Sequence, residues 1–171
     1  MANIMTYLPT IKKIDMSCYI LNNIYNHTSS NTTYIDYQID SGYTTVVEKI
    51  STTITIDTVN NRFTLPSGKY YLDAKLNIYR EATGTWGCDL KWYKWDGSSK
   101  TDIGYPGREV GVIAIGDPHV SEHATAYVES NSSITIGLQF RSINNLQITA
   151  SDNVNYDELS GESRLMIWRL E

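Results

Sequence analysis

The hydrophobic pattern of this chain is clearest between residues 63 and 79, where a short run, a Pro-x-Gly corner and a long alternating run follow one another. After Gly68 apolar and polar positions alternate. One face would carry Tyr70, Leu72, Ala74, Leu76 and Ile78, and the other Lys69, Tyr71, Asp73, Lys75, Asn77 and Tyr79. A period of two over about ten residues predicts a strand with one face in a core. Because Pro66 lacks an amide hydrogen, we expect it to end the first strand, and Gly68 permits the turn into the second.

Turn residues separate further strands along the chain. Predicted strands cover residues 34–39, 43–48, 53–57, 62–65, 69–79, 88–95, 119–129, 134–141 and 163–170. Asn60-Asn61 and Asp96-Gly97 predict tight hairpin turns. Residues 97–118 are rich in Gly and Pro and predict a long loop with one short strand at 110–115. Eight to ten strands without a convincing helix predict an all-β protein, an antiparallel β-sandwich of jelly-roll type or a barrel, over residues 33–171.

Residues 1–32 have a different pattern from the remainder. Apolar residues recur there at spacings of four and three, namely Tyr7, Ile11, Ile14, Cys18, Leu21 and Tyr25. This stripe favours a short helix, whereas the β-branched and Asn residues and the short length favour a non-helical arm. In both cases the stripe requires a partner surface. We therefore expect an N-terminal arm or short helix that serves as a docking segment, followed by a polar linker at 26–33.

Composition excludes several classes of function. Apolar residues make up 41% of the chain, and 13 of its 19 aromatic residues are Tyr, which favours strands and half-wet surfaces. A net charge of −5 without a basic cluster argues against nucleic acid binding. The chain contains no run of about 18 apolar residues, so we expect no membrane-spanning segment. The N-terminus lacks the pattern of a secretory signal. Cys18 and Cys88 lie far apart and are expected to be buried thiols of a protein made in a reducing compartment.

The motifs that resemble catalytic or metal sites do not withstand a physical test. His119-Val120-Ser121-Glu122-His123 matches the H-x-x-E-H zinc string, but that motif needs a helix, and the residues after it predict a strand. Residues four apart in a strand are separated by about 13 Å, too far to share one zinc ion. The acidic residues are scattered and form no recognisable catalytic pair. We therefore expect no enzyme activity, no metal and no cofactor.

Three motifs together resemble a known family. They are the strand and corner Phe63-Thr64-Leu65-Pro66-Ser67-Gly68-Lys69-Tyr70-Tyr71, the strand Ser133-Ile134-Thr135-Ile136-Gly137-Leu138-Gln139-Phe140, and the closing run Leu165-Met166-Ile167-Trp168-Arg169-Leu170-Glu171. Over roughly residues 34–171 this order resembles the tumour-necrosis-factor and complement-globular-head jelly roll, in the version found in bacteriophage virion proteins. The resemblance implies a trimer around a threefold axis, with aromatic side chains at the interface. Tyr71, Tyr93, Trp95 and Trp168 are the candidates; the alternative is that these rings pack in the core or stand singly on the surface.

The resemblance implies a structural role. We expect a homotrimeric bacteriophage virion protein, made in the host cytoplasm and displayed on the particle, that decorates or cements the capsid. Its partners would be its own copies and the major capsid protein or another virion protein. Tyr7, Ile11, Ile14, Leu21 and Tyr25 would form the docking segment, and the start at Met1 without a preceding fibre repeat favours a stand-alone domain.

Two alternatives stay open. The trimer would instead be the receptor-binding tip of a tail fibre, whose loops 97–118 and 142–161 bind host surface glycans through Tyr105 and Tyr156. The second alternative is an enzyme such as a polysaccharide depolymerase.

Overall fold

The computed structural model describes residues 15–21, 25–26, 33–39, 44–49, 54–75, 77–80, 84–113, 119–120, 123–143, 146–148 and 164–170. These residues form fifteen strands: β1 (Asp15–Leu21), β2 (Tyr25–Asn26), β3 (Ile35–Asp36), β4 (Thr44–Lys49), β5 (Thr55–Asp57), β6 (Arg62–Leu65), β7 (Gly68–Lys75), β8 (Asn77–Arg80), β9 (Gly84–Trp95), β10 (Lys100–Ile113), β11 (His119–Val120), β12 (Ala124–Ser130), β13 (Ile134–Ile143), β14 (Leu146–Ile148) and β15 (Arg164–Arg169). None of the described residues forms a helix long and apolar enough to cross a membrane.

The strands form two layers that are joined through β10. The first layer has the order β4-β1-β15-β7-β12, and the second has the order β10-β9-β13-β6-β5, with β3 also paired to β13. Strand β10 contacts the first layer where Tyr105 pairs with Thr125, and it pairs with β9 along the rest of its length. A smaller sheet has the order β11-β8-β14-β2. Every pairing among the described strands is antiparallel, and the predicted all-β jelly roll is confirmed.

The Pro-x-Gly corner carries the chain from one layer to the other. Strand β6 before the corner pairs with β13 in the second layer, and β7 after it pairs with β12 and β15 in the first. The Tyr70 hydroxyl donates a hydrogen bond of 3.0 Å to the Pro66 carbonyl, which closes the corner. The predicted strand 69–79 is divided, because the chain leaves the first layer after Lys75 and continues as β8 in the smaller sheet.

The core lies between the two layers and follows the alternation seen in the sequence. In β7 the side chains of Tyr70, Leu72 and Ala74 are fully buried. The second layer contributes a matching set of buried residues: Phe63, Leu65, Leu90, Trp92, Ile136, Leu138 and Phe140. The Trp92 indole Nε1 donates a hydrogen bond of 3.0 Å to the Ala124 carbonyl, so a second-layer side chain is tied to a first-layer strand.

The prediction of a loop at 97–118 is wrong for most of this range, because residues 100–113 form the single strand β10. Its glycines and proline accommodate a bend, where the register with β9 shifts between Ile103 and Gly107. Gly104 has φ +71°, and a Cβ there would lie 2.0 Å from the Thr125 carbonyl oxygen. A residue with a side chain would therefore prevent the approach of β10 to β12.

The N-terminal segment is part of the sheet where it is described. Residues 15–21 are strand β1, which pairs with β15 on one side and β4 on the other. The helix that the apolar spacing favoured is therefore wrong for these residues. Strand β1 precedes the domain boundary predicted after residue 32, yet it belongs to the first layer. Tyr7, Ile11 and Ile14 lie outside the described residues; Leu21 ends β1 and Tyr25 begins β2. The docking role of this segment stays a prediction.

Candidate functional site

Three aromatic residues lie side by side across the outer face of the first layer. Trp168 in β15 pairs in register with Tyr71 in β7, and Tyr71 pairs with Tyr127 in β12. The Tyr71 and Trp168 ring centroids are 5.5 Å apart, at an interplanar angle of 33°. Tyr71 is 39% exposed and Tyr127 is 55% exposed. We call Trp168, Tyr71 and Tyr127 the aromatic row.

The alternation of each strand places these rings outside the core. Tyr71 lies between the buried Tyr70 and Leu72, Tyr127 follows the buried Ala126, and Trp168 follows the buried Ile167. Successive side chains of a strand point to opposite faces, so burial of one neighbour directs the next residue outward. Cross-strand register then places the three outward residues side by side, and the rings of Tyr71 and Trp168 are in contact.

A buried carboxylate lies on the strand that carries the centre of the aromatic row. Asp73, two residues after Tyr71, is only 7% exposed, and its Oδ1 lies 2.7 Å from Nδ1 of His123. The His123 side chain keeps 53% of its surface exposed. This contact holds the residue that precedes β12 against β7.

The outer face of the second layer has a different chemistry, because its aromatic rings are covered by charged side chains. The Arg62 guanidinium lies 3.9 Å from the centre of the Trp95 ring. The Lys100 ammonium lies 4.9 Å from the centre of the Tyr93 ring and 2.5 Å from an Asp36 carboxylate oxygen. Tyr93 is completely buried within its own chain, and this burial raises the pKa of its phenol.

A cluster of charged side chains that form ion pairs lies on the same outer face of the second layer. Asp89 accepts a hydrogen bond of 2.6 Å from Nε of Arg108 and a second one from Nη2 of Arg141. Burial acts to raise the pKa of Asp89, but the hydrogen bonds and charges of the two arginines outweigh it and lower the pKa below its usual range. Lys91 pairs with Asp102 at 2.7 Å. Opposite charges on this face therefore compensate each other within the chain.

The four residues predicted for a trimer interface fall on two surfaces. Tyr71 and Trp168 are in contact on the first layer, whereas Tyr93 and Trp95 belong to β9 of the second layer. These two pairs therefore do not form one face within a single copy. Tyr127 is not among the residues predicted from the sequence; in the structure it directly follows the buried Ala126 and faces outward.

The zinc-like string does not form a helix where it is described. His119 begins the short strand β11 and pairs with Ile78, and His123 directly precedes β12. Ser121 and Glu122 lie outside the described residues. Within the described ranges, no group of three or more His, Cys, Asp or Glu side chains comes together as metal ligands would.

Comparisons with known proteins find similarity in the fold. No protein-family model and no curated protein matches the sequence. Among solved structures, the chain is similar to the Eiger TNF of S. frugiperda, with a TM-score of 0.60 and 5% identity over 92% of this chain and 93% of that one. It is also similar to murine APRIL, with a TM-score of 0.58 and 9% identity over 92% of this chain and all of that one. The chain therefore has a tumour-necrosis-factor-like jelly-roll fold.

Proposed function

We propose that this protein is a non-enzymatic structural protein that assembles as a homotrimer through the outer face of its first layer. The observation that carries the proposal is the aromatic row, with Tyr71 and Tyr127 substantially exposed in the single chain. Exposed aromatic side chains are enriched at protein interfaces, because they bury a large apolar area and lose little conformational entropy. The family that the sequence resembles is usually trimeric, which supports a threefold arrangement.

The contrast between the two outer faces supports this choice of surface. On the second layer Lys91, Lys100 and Arg108 are each paired with a carboxylate, and the Tyr93 ring is buried. Burying such ion pairs under another chain would remove them from water at a cost that their mutual attraction does not reliably repay. Within the described part of the chain, none of the three residues of the aromatic row is itself an ion-pair partner, and the Asp73–His123 contact is the pair described beside them on this face. Tyr93 and Trp95 are accordingly left out of the proposed interface.

At the finer level we propose that the trimer decorates or cements a bacteriophage capsid, with the major capsid protein as partner. The support is the sequence resemblance to phage virion jelly rolls. A trimer at a local threefold position would bridge neighbouring capsid subunits and stabilise the shell by mass action, because it binds only the assembled form. This assigns the protein to the virion after synthesis in the host cytoplasm.

The proposal is tested in two steps with the purified full-length chain. Light scattering coupled to size exclusion measures the mass, and we expect three chains of 19.4 kDa each. Labelled protein is then mixed with undecorated capsids and, separately, with host cells. Saturable binding to capsids supports decoration. A monomer of 19.4 kDa overturns the assembly.

The fibre-tip alternative enters this experiment as an outcome. One of its two recognition loops is largely the strand β10, which removes part of its basis, although Tyr105 on that strand is 79% exposed. Tyr156 lies outside the described residues. Binding to cells without binding to capsids would contradict decoration and favour host recognition.

A further inference from the structure

A buried carboxylate and a half-exposed imidazole lie next to the aromatic row. Asp73 follows Tyr71 by two positions in β7, so both side chains point to the outer face of the first layer, about 7 Å apart along the strand. Asp73 is only 7% exposed, and its Oδ1 lies 2.7 Å from Nδ1 of His123, whose side chain keeps 53% of its surface exposed. Neither the fold nor the proposed assembly assigns a role to this pair.

The register between β7 and β12 places both members of the pair on one face. Thr125 is the cross-strand partner of Asp73, so the two side chains point outward together. His123 comes two positions before Thr125 and therefore lies on the same outer side. The pair is thus one outward position along the strands from the aromatic row, beside the surface that the proposed trimer covers.

The other charged and titratable groups around the imidazole come from four strands. Lys75 is the next outward residue of β7, and Arg164 is its partner in β15. On β10 Tyr105 lies opposite the strand that follows the imidazole, and on β12 Glu129 lies beyond the aromatic row. Lysine, arginine, tyrosine and glutamate side chains ordinarily keep one charge between pH 5 and 8, whereas an imidazole does not. The carboxylate that touches the ring therefore acts most directly on its proton.

The contact fixes which nitrogen of the imidazole changes its proton. A carboxylate only accepts hydrogen bonds, so Nδ1 of His123 donates to Asp73 whether the ring is neutral or charged. The proton that is gained and lost is then the one on Nε2. Deprotonation leaves the contact in place and changes only the net charge of the pair, from zero to one negative charge.

Covering the pair with another copy makes this change of charge costly. A carboxylate enclosed beside a neutral imidazole is an uncompensated charge, whereas beside a protonated imidazole it is half of an ion pair. Removing an uncompensated charge from water costs more than removing an ion pair whose members are in contact. Assembly therefore takes up protons at His123, and association weakens as the pH rises through the range in which an imidazole titrates.

We propose that the Asp73–His123 pair makes assembly of the trimer depend on pH, with tighter association when the imidazole is protonated. The inference rests on the proposed function, because it concerns the regulation of the same outer face. It adds to that proposal a condition under which the trimer forms most readily, namely mildly acidic solution.

The test follows the equilibrium between monomer and trimer of the full chain by sedimentation at pH 5.5, 6.5, 7.5 and 8.5. We expect the concentration at which half of the chains are assembled to be at least about threefold lower at pH 5.5 than at pH 8.5. If the trimer persists at the lowest concentration, exchange of subunits between labelled trimers measures the same difference, and it should be slower at pH 5.5.

Variants assign the effect to the pair. His123→Gln keeps a hydrogen-bond donor towards Asp73 without a charge, and its assembly should lose most of the pH difference. His119→Gln is the matched control, because His119 pairs with Ile78 in the smaller sheet, and it should keep the difference of the wild type. Acid also reduces the net charge of −5, but this general effect is shared by all variants.

Asp73→Asn tests the sign of the effect. Without the carboxylate, a protonated imidazole would be the uncompensated charge in the assembled state, so association should weaken towards pH 5.5 relative to His123→Gln. Thermal unfolding checks that this variant folds, because Asp73 is buried.

Three results overturn the inference: a trimer whose association does not change with pH, a pH difference of the same size in wild type and His123→Gln, or an equal loss of the difference in His123→Gln and His119→Gln. Each of these leaves the trimer itself in place. A chain that is monomeric at every pH overturns the proposed assembly and the pH dependence together.

Discussion

The ring of Tyr93 lies directly over Gly137, its cross-strand partner in β13. A Cβ placed on Gly137 would lie 2.3 Å from Oη and 2.4 Å from Cζ of Tyr93. The phenol therefore occupies the space that a side chain at Gly137 would fill. This packing buries Tyr93 on a face that is otherwise polar, and it removes the ring from any interface with another copy.

Gly137→Ala should destabilise the protein by about 2 kcal/mol, because the new methyl group forces the ring of Tyr93 or the strand to move. Unfolding in urea measures the change. Tyr93→Ser removes the obstacle, so the double variant should lose less than the two single variants combined. Strict additivity would show that the ring and Gly137 do not compete for the same space.

Asp89→Asn should cost about 2 kcal/mol at pH 7, since two arginines lose a charged acceptor. The pKa of Asp89 is lowered in the folded state, so the unfolded state binds more protons, and stability rises with pH through this window. The contribution of Asp89 is complete above its unfolded pKa near 3.9 and is lost as the pH falls towards the lower folded value.

The pH dependence separates this cluster from the surface pairs. Unfolding free energy measured from pH 2 to 7 should rise less steeply in Asp89→Asn than in the wild type. Asp102→Asn is the matched control, because Asp102 keeps 61% of its side chain exposed and pairs with Lys91 at the surface. We expect it to change stability by less than about 0.5 kcal/mol. An identical slope for Asp89→Asn and wild type would contradict the prediction.

Trp92→Phe should destabilise the fold by about 1–3 kcal/mol. The substitution removes the hydrogen bond from the indole to the Ala124 carbonyl and leaves a gap in the core between the layers. Urea unfolding measures the loss. Trp95→Phe is the control, since Trp95 is only partly buried on the outer face. Equal losses of unfolding free energy in the two variants would mean that the hydrogen bond from Trp92 to Ala124 makes no measurable contribution to stability.

Tyr71→Lys and Tyr127→Lys should each weaken assembly at least about thirtyfold, because a charge would enter the centre of the proposed interface. Sedimentation over a range of concentrations measures the effect. Val59→Lys is the control, since Val59 is 86% exposed at the turn between β5 and β6 and lies away from the aromatic row. Unchanged mass in both Tyr variants would exclude this face as the interface.

Strand alternation was predictable wherever a strand had one buried face. The alternation after Gly68 identified Tyr70, Leu72 and Ala74 as core residues, and all three are fully buried. The turn at Asp96-Gly97 was predicted correctly, because Asp96 Oδ1 accepts the amides of Ser98 and Ser99 and this chemistry is local. Such features depend only on neighbours in the sequence.

Two segments differ from what their local pattern favoured, because their structure depends on distant partners. The stripe over residues 15–21 has helical spacing, yet β1 forms as a strand that pairs with β15 near the other end of the chain. Residues 100–113 contain the glycines and proline of a loop, yet β9 holds them as a strand with one bend at Gly104. Local propensity is weak compared with pairing to an existing sheet edge.

The sequence alone determined the all-β class, the turns and the outward direction of Tyr71, because a hydrophobic period of two residues determines which side chains share a face. Only the tertiary structure decided which outward residues meet. Tyr71 pairs with Tyr127 and Trp168, while Tyr93 and Trp95 lie on the other layer. The reason is that register between strands far apart in the chain is set by the packing of the whole core, which no local pattern records.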